Sequence, residues 1–250
     1  MHSLSCALLE KMGEHLMDQD VFSGMIAPVL QTRKKCEMTY SIVARDPSTG
    51  EWGVAVQSKF VAIGALTPWA KAGVGAIATQ AWINTRYGSQ GLDLLEQGHS
   101  PSEVIVRLTQ ADQGHAHRQI GIIGVSGEPA TYTGEACPDW AGSLIGSHYA
   151  CQGNFLVGEQ TIQAMAQVFE ERGGPLYERL MAALWAGQAA GGEKRGQQSA
   201  ALLVVRAHAG FRGFNDRVID VRVDDHPTPL EELERILRVR LAAPPWQMRE

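Results

Sequence analysis

The feature that most constrains this chain is the order in which strand-like and helix-like segments follow one another. The order runs strands, two helices, strands, two helices, strands and one helix. A parallel sheet needs a crossover, usually a helix, between successive strands, so grouped strands argue against it. The grouping predicts an α+β fold of largely antiparallel sheets with helices packed outside.

Alternation and turn chemistry predict the first two strands. Side chains in residues 39–45 alternate, so odd and even positions face opposite ways. Residues 46–50 are dense in turn formers, and residues 52–57 complete a hairpin. Further strands are predicted at residues 60–66, 74–80, 119–125, 130–132, 149–157, 200–206 and 216–223, and helices at about 87–97, 100–111, 159–172, 175–189 and 229–241.

Domain organisation changes near Met38, where the strand pattern becomes regular. We predict one domain over residues 38–242 and a tail at residues 243–250. Residues 1–37 differ, because their apolar stretch is interrupted and then turns basic. This extension has three open interpretations: a propeptide, an added regulatory segment, or a start codon assigned too early, of which we favour the last.

Composition limits the classes of function. With a net charge of −5, the chain lacks the excess of basic residues that is typical of a nucleic-acid binder. No apolar stretch reaches the length of a membrane span. No secretory pattern opens the sequence, which favours the cytoplasm. The four cysteines lack metal-finger spacing. We therefore expect a small-molecule substrate, no membrane or nucleic-acid partner, no metal and no cofactor, with a homodimer as an open expectation.

Two hydroxyl residues open the first predicted strand, Thr39 and Ser41. If Met38 is the true start and is removed, Thr39 becomes N-terminal and carries both a hydroxyl nucleophile and an α-amino base. Alternatively, the two residues form the polar face of an edge strand.

Polar side chains elsewhere suggest a binding site. His117 and Arg118 lead into a strand, where Arg118 could bind a carboxylate and a histidine pair with His115 could begin a metal site. The segment Gln152-Gly153-Asn154 interrupts an apolar strand and is either a bulge or part of an oxyanion hole.

Two further features complete the candidate set. Lys194 and Arg195 lie on a Gly-flanked loop that suits an anionic substrate group or plain solvent exposure. Three tryptophans close to strand ends either pack at the rim of the core or wall a pocket: Trp69, Trp82 and Trp140.

Several motifs occur in an order that resembles a known bacterial family, the domain-of-unknown-function family 1028, over residues 38–237. They are TYSIVARD at 39–46, GVAV at 53–56, GVGA at 73–76 with ATQ at 78–80, HRQ at 117–119, QGN at 152–154, KRG at 194–196 with QSAA at 198–201, and VDDHP at 223–227.

The resemblance implies the fold of the N-terminal-nucleophile (Ntn) hydrolases, a four-layer αββα sandwich of two mainly antiparallel sheets. That superfamily cleaves amide bonds with an N-terminal Thr, Ser or Cys at the head of the first strand, where Thr39 stands. In some members a lysine after the early strands assists, and Lys71 lies roughly there.

The leading hypothesis is an amide hydrolase for a small polar substrate. Thr39 would attack, backbone N–H groups or Asn154 would hold the oxyanion, and Arg118, Lys194 or Arg195 would hold an anionic group, with His117 and Gln152 also contacting substrate. A second hypothesis places an enzyme site at Ser41 or at His117 and Arg118. The third is a non-catalytic ligand-binding or cell-envelope module on the same fold.

Overall fold

The computed structural model describes residues 39–242, which form ten strands and five α-helices. Both the predicted extension at residues 1–37 and the tail at 243–250 lie outside the described residues. The elements in chain order are β1 (Thr39–Asp46), β2 (Glu51–Ser58), β3 (Pro68–Lys71), β4 (Gly75–Ala81), α1 (Arg86–Glu96), α2 (Pro101–Gln110), β5 (Arg118–Gly124), β6 (Ala130–Thr133), β7 (Gly142–Gly146), β8 (Tyr149–Asn154), α3 (Gln160–Glu171), α4 (Leu176–Ala189), β9 (Ser199–Val205), β10 (Arg217–Val223) and α5 (Pro229–Ala242).

The strands form two antiparallel sheets. The six-stranded sheet has the order β10-β9-β2-β1-β8-β7, and the four-stranded sheet has the order β3-β4-β5-β6. Helices α3, α4 and α5 pack on the outer face of the larger sheet, while α1 and α2 pack on the outer face of the smaller one. The predicted α+β sandwich with four layers, αββα, is therefore confirmed.

Alternation along β1 decides which core each side chain enters. Tyr40, Ile42 and Ala44 lie among the apolar side chains of α3, α4 and α5. Val43 enters the layer between the two sheets. Because the period of a strand is two, Thr39 and Ser41 point into this same inter-sheet layer.

The sequence Ser100-Pro101-Ser102-Glu103 is typical of a helix start, with Ser as the cap and Pro at the first helical position, and α2 begins there. The Ser100 hydroxyl accepts from the N–H of Glu103, whose carboxylate accepts from the Ser100 N–H at 2.8 Å, with Pro101 as the first helical residue. Such a capping box satisfies two N–H groups that the helix itself leaves unpaired. None of the helices within residues 39–242 is both long and apolar enough to cross a membrane.

One predicted strand, at residues 60–66, and the edge-strand alternative for Thr39 and Ser41 are wrong. Residues 60–66 form no strand, because Ala62 adopts a left-handed conformation (φ 54°) and a short 3₁₀ turn follows at Ile63–Ala65. The segment before β5 is likewise a 3₁₀ turn, His115–His117. Thr39 and Ser41 do not lie on an edge strand, since β1 pairs with β2 on one side and with β8 on the other. The sequence reading also missed β3 and β7.

Candidate active site

Thr39 is the first residue of the central strand β1 and is fully buried. Its register partners are Ser58 at the end of β2 and Asn154 at the end of β8. The Thr39 Oγ1 atom lies 3.1 Å from the Ser58 Oγ atom, a hydrogen bond in which either hydroxyl can donate. The predicted nucleophile is therefore held at one end of the inter-sheet layer.

Next to Thr39, five fully buried polar side chains form what we call the amide cluster: Ser41, Gln80, Gln119, Gln152 and Asn154. At its centre, the Ser41 hydroxyl donates to the Gln80 side-chain oxygen at 2.6 Å and accepts from the Gln152 amide at 2.6 Å. Both hydrogen-bonding functions of Ser41 are thus engaged. These contacts make Ser41 a buried connector between the sheets.

Gln119, on the facing sheet, joins more partners than any other member of the amide cluster. Its Oε1 atom accepts from Gln80 at 2.8 Å and from Asn154 at 2.9 Å. Its Nε2 atom donates to the Gly153 carbonyl at 2.8 Å and to the Thr133 hydroxyl at 2.9 Å. A buried amide is costly unless its donors and acceptors are satisfied, and Gln119 achieves this by bridging the two sheets.

The amide cluster reaches Thr39 through its backbone. The Gln80 Nε2 atom lies 3.3 Å from the Thr39 carbonyl oxygen. Gln152 crosses the layer above Gly121, where a Cβ atom would overlap the Gln152 side-chain oxygen. The close approach explains why β5 carries a glycine at this point.

The Gln152-Gly153-Asn154 segment forms a regular part of β8 and not a bulge, since its register with β1 is uninterrupted. Asn154 uses one amide hydrogen in its bond to Gln119, and the amide group carries two. Among the described residues, the Asn154 Oδ1 and Gln152 Oε1 atoms have no hydrogen-bond partner. Asn154 therefore retains hydrogen-bonding capacity opposite Thr39, whereas Gln152 lies two residues deeper in the layer.

The Arg118 side chain forms hydrogen bonds with two neighbouring segments of the chain. Its Nε atom donates to Asp112 at 2.8 Å and its Nη1 atom donates to the Trp82 carbonyl at 2.6 Å. The hydrogen bond from Arg118 holds the pKa of the Asp112 carboxyl far below its usual range, despite partial burial. His117 stacks on the Trp82 ring at a centroid distance of 4.5 Å. Both members of the pair predicted to bind substrate therefore contact Trp82.

Lys194 and Arg195 lie beside Phe155, the residue that follows Asn154. The Lys194 Nζ atom is 5.4 Å from the Phe155 ring centroid and the Arg195 guanidinium carbon is 5.9 Å from it. The buried Arg195 Nη2 atom has no partner within residues 39–242. The structure thus brings two cationic side chains to the end of β8 that lies opposite Thr39.

Glu193 anchors this cationic loop and was missed from the sequence. Its carboxylate accepts from the Lys59 N–H at 2.5 Å and from the Arg195 Nε atom at 2.9 Å. Burial raises the pKa of Glu193 to about 7, although the Arg195 guanidinium and the Lys59 N–H group act to lower it. In the sequence, Glu193 looks like one more charge in a solvated loop, and only the fold shows that it is buried.

Several candidates meet at one end of the sandwich. The Phe155 N–H donates to the Pro138 carbonyl, and the neighbouring Cys137 thiol contacts the Arg118 carbonyl at 3.3 Å, so one loop joins both sheets there. Lys71 is not part of this site. It pairs with Glu96 at 2.6 Å and lies opposite Gly75, about 17 Å along β4 from Gln80.

His115 has a hydrogen-bond partner of its own, because its Nδ1 atom lies 2.8 Å from the Tyr132 hydroxyl. Within residues 39–242, no three metal-ligating side chains come together. The site brings together hydroxyl groups, neutral amides and two cationic side chains.

This architecture defines an αββα sandwich with a buried polar cluster where its central strand begins. The model of a family described as "Family of unknown function (DUF1028)" matches residues 39–233, and the chain belongs to this family. The resemblance seen in the sequence motifs is thereby confirmed. No curated protein matches the chain.

A solved structure supports the same assignment. The chain is similar to protein SPO2555 from Silicibacter pomeroyi, of the same family, with a TM-score of 0.75 and 29% identity. The match covers 83% of this chain and 91% of the other.

Proposed function

We propose that the protein is an amide hydrolase of the N-terminal-nucleophile type in which Thr39 is the nucleophile. The observation that carries the proposal is the position of Thr39. It begins the central strand, and its hydroxyl contacts Ser58 beside the amide cluster. As further parts of the proposal, the substrate is a small polar molecule bound without a cofactor. The protein works in the cytoplasm, where a homodimer is its expected assembly.

The reaction requires that residues before Thr39 be removed. The free α-amino group, with a pKa of about 8, then takes the proton from the Thr39 hydroxyl as the oxygen adds to the substrate carbonyl. The C–N bond breaks when the tetrahedral intermediate collapses, and the ammonium group returns the proton to the leaving amine. Water, deprotonated by the same amine, hydrolyses the resulting ester and frees Thr39.

Neighbouring side chains have defined tasks in this proposal. Ser58 orients the Thr39 hydroxyl across the 3.1 Å contact. The second amide hydrogen of Asn154 and backbone N–H groups stabilise the oxyanion, which is typically worth about 10²–10³-fold in rate for one donor. Lys194 and Arg195 bind an anionic group of the substrate.

The first measurement is the intact mass and N-terminal sequence of the protein from its native host. A chain that begins at Thr39 would supply the free amine. The direct test inserts a protease recognition sequence before Thr39 in the full chain, using a protease that leaves no residue behind. We expect amide hydrolysis only after cleavage, and a loss of roughly 10³-fold or more for Thr39→Ala.

Thr39→Ser is the matched control, since it keeps a hydroxyl and an amine at the same position. Measurable hydrolysis by cleaved Thr39→Ser, together with none by Thr39→Ala, would support the mechanism. Equal activity before and after cleavage would refute it, because the base would then be unnecessary.

A second candidate function is a ligand-binding module without turnover. In the chain as encoded, the Thr39 nitrogen is part of a peptide bond to Met38, and Thr39 is fully buried. This module would bind small anionic ligands at Lys194 and Arg195 whether or not the N-terminus is processed. Native protein that retains Met38 would favour it.

A further inference from the structure

Trp82 presents an aromatic surface directly after β4, the strand that carries Gln80 of the amide cluster. Its side chain follows the end of β4 and 39% of the residue is exposed. His117 covers one side of the ring, with centroids 4.5 Å apart and an interplanar angle of 21°. A large apolar ring that is left exposed but supported from behind is suited to stacking with a ligand.

The backbone of Trp82 is fixed from several directions. Its N–H donates to the His117 carbonyl at 3.1 Å, and its own carbonyl accepts from Arg118. Arg118 is held in turn by Asp112, which also accepts from the Asn84 amide and the Tyr87 hydroxyl. The ring is therefore preorganised, and a ligand loses little binding free energy in ordering it.

The position of Trp82 relates it to Thr39. Trp82 follows Gln80 by two residues, with Ala81 in a left-handed conformation (φ 64°) between them, and the Gln80 amide contacts the Thr39 carbonyl. On the other sheet, Phe155 and its two cations follow Asn154, the register partner of Thr39. The ring on one sheet and the cations on the other thus flank the end of the layer where Thr39 lies.

We infer that Trp82 is a specificity-determining residue that stacks against a flat aromatic or conjugated group of the ligand. This inference rests on the proposed function for its substrate class, an amide that joins an aromatic group to a part bearing a carboxylate. The aromatic group lies on Trp82 and the carboxylate faces Arg195. Favourable ring stacking is expected to raise affinity by roughly three- to tenfold over an aliphatic ring of similar size.

The test measures binding separately from turnover. The Thr39→Ala protein, made as the full chain and then cleaved before position 39, is titrated by calorimetry with N-phenylacetylglycine and with N-cyclohexylacetylglycine. We expect the phenyl compound to bind about three- to tenfold more tightly. Trp82→Leu should remove that preference, and Trp82→Phe should restore most of it, which a loss of folding would not do.

Phe214 supplies the control. It is 82% exposed on the β9–β10 hairpin, which adjoins Trp52, at the opposite end of the six-stranded sheet from Ser58. Phe214→Leu should leave the preference unchanged. Equal affinities for the two compounds, binding of neither, or a preference that survives Trp82→Leu would overturn the inference.

Turnover then separates this inference from the proposed function. Hydrolysis of aliphatic amides by cleaved wild-type protein, unaffected by Trp82→Leu, would retain the hydrolase and reject the stacking surface. Binding of the phenyl compound through Trp82, with no amide hydrolysed, would retain the surface and reject the hydrolase.

Discussion

The two ends of the inter-sheet layer have the same backbone arrangement but opposite chemistry. At the end near Trp52 the two sheets meet through apolar side chains, whereas at the Thr39 end they meet through the amide cluster. Both ends continue the same strands and the same alternation, so the strand pattern alone does not distinguish them. The apolar end is lined by Val43, Val54, Ala76, Ala78, Ile123 and Ala150.

The two ends differ in what their packing requires, and the Thr39 end is the more demanding. Apolar side chains need only matching shape, but each amide must also find partners for its donors and acceptors. Gln119 does so through four contacts at 3.0 Å or less, yet Gln152 and Asn154 each keep an unpartnered oxygen among the described residues. Such incomplete satisfaction beside Thr39 is more typical of a functional site than of a core.

The largest expected effect is the loss of Gln119. Gln119→Leu should lower the free energy of unfolding by about 4 kcal/mol, because the amides of Gln80 and Asn154 and the Gly153 carbonyl all lose a buried partner. Urea unfolding monitored by circular dichroism measures this. A loss below about 1 kcal/mol would mean that the amide cluster contributes little to joining the sheets.

The second-largest expected effect is a pH dependence of the free energy of unfolding, caused by Glu193 in the loop beside the amide cluster. The pKa of Glu193 is raised from 4.5 to about 7, so the folded state binds more protons than the unfolded state between these values. Stability from this group is therefore present at low pH and lost as pH rises toward 7. At about 1.4 kcal/mol per pKa unit, the loss is up to about 3 kcal/mol.

Glu193→Gln should remove this dependence. Its stability relative to wild type should improve by up to about 3 kcal/mol between about pH 5 and about pH 8, measured by urea unfolding. The charged group that faces Glu193 is Arg195, while Lys59 contacts it through its backbone N–H and directs its ammonium group to the Gln197 carbonyl. The buried Tyr40 hydroxyl, whose pKa is raised by burial, stays neutral over this range. A difference that is constant with pH would show that Glu193 is ionised throughout.

Ser41 offers a smaller effect that separates structure from catalysis. Ser41→Ala should cost about 2 kcal/mol, because Gln80 and Gln152 each lose a 2.6 Å hydrogen bond. If Thr39 is the nucleophile, the rate should fall far less than the roughly 10³-fold expected for Thr39→Ala. Comparable losses of kcat in the two variants would favour Ser41 as the reacting group.

The sequence predicted those parts of the molecule that local chemistry decides. The hairpin of β1 and β2, the capping box at Ser100 and the alternation along residues 39–45 all follow from neighbouring residues. The strand prediction for residues 60–66 was wrong because a short apolar run alone does not distinguish a strand from a turn. Pro68 obscured β3, since proline at the first residue of an edge strand also resembles a break.

The site was predictable in part. Amides in an otherwise apolar strand drew attention to Gln152 and Asn154, and the same signal was available at Gln80. No local pattern, however, places Gln119 opposite Asn154, since that contact arises only when two sheets stack. The burial of Glu193 and the stacking of His117 on Trp82 depend in the same way on distant segments.

The smallest expected effect tests the apolar end on the same strand that carries Gln119. Ile123 lies four residues further along β5 and faces the same layer, but its neighbours are apolar. Ile123→Val removes one methyl group and should lower the free energy of unfolding by about 1 kcal/mol. It should leave hydrolysis and ligand binding unchanged, because Ile123 packs in an apolar cluster that includes neither Thr39 nor Trp82. If Ile123→Val altered activity as strongly as Ser41→Ala, the two ends would be coupled, and the amide cluster could no longer be treated as a separate local site.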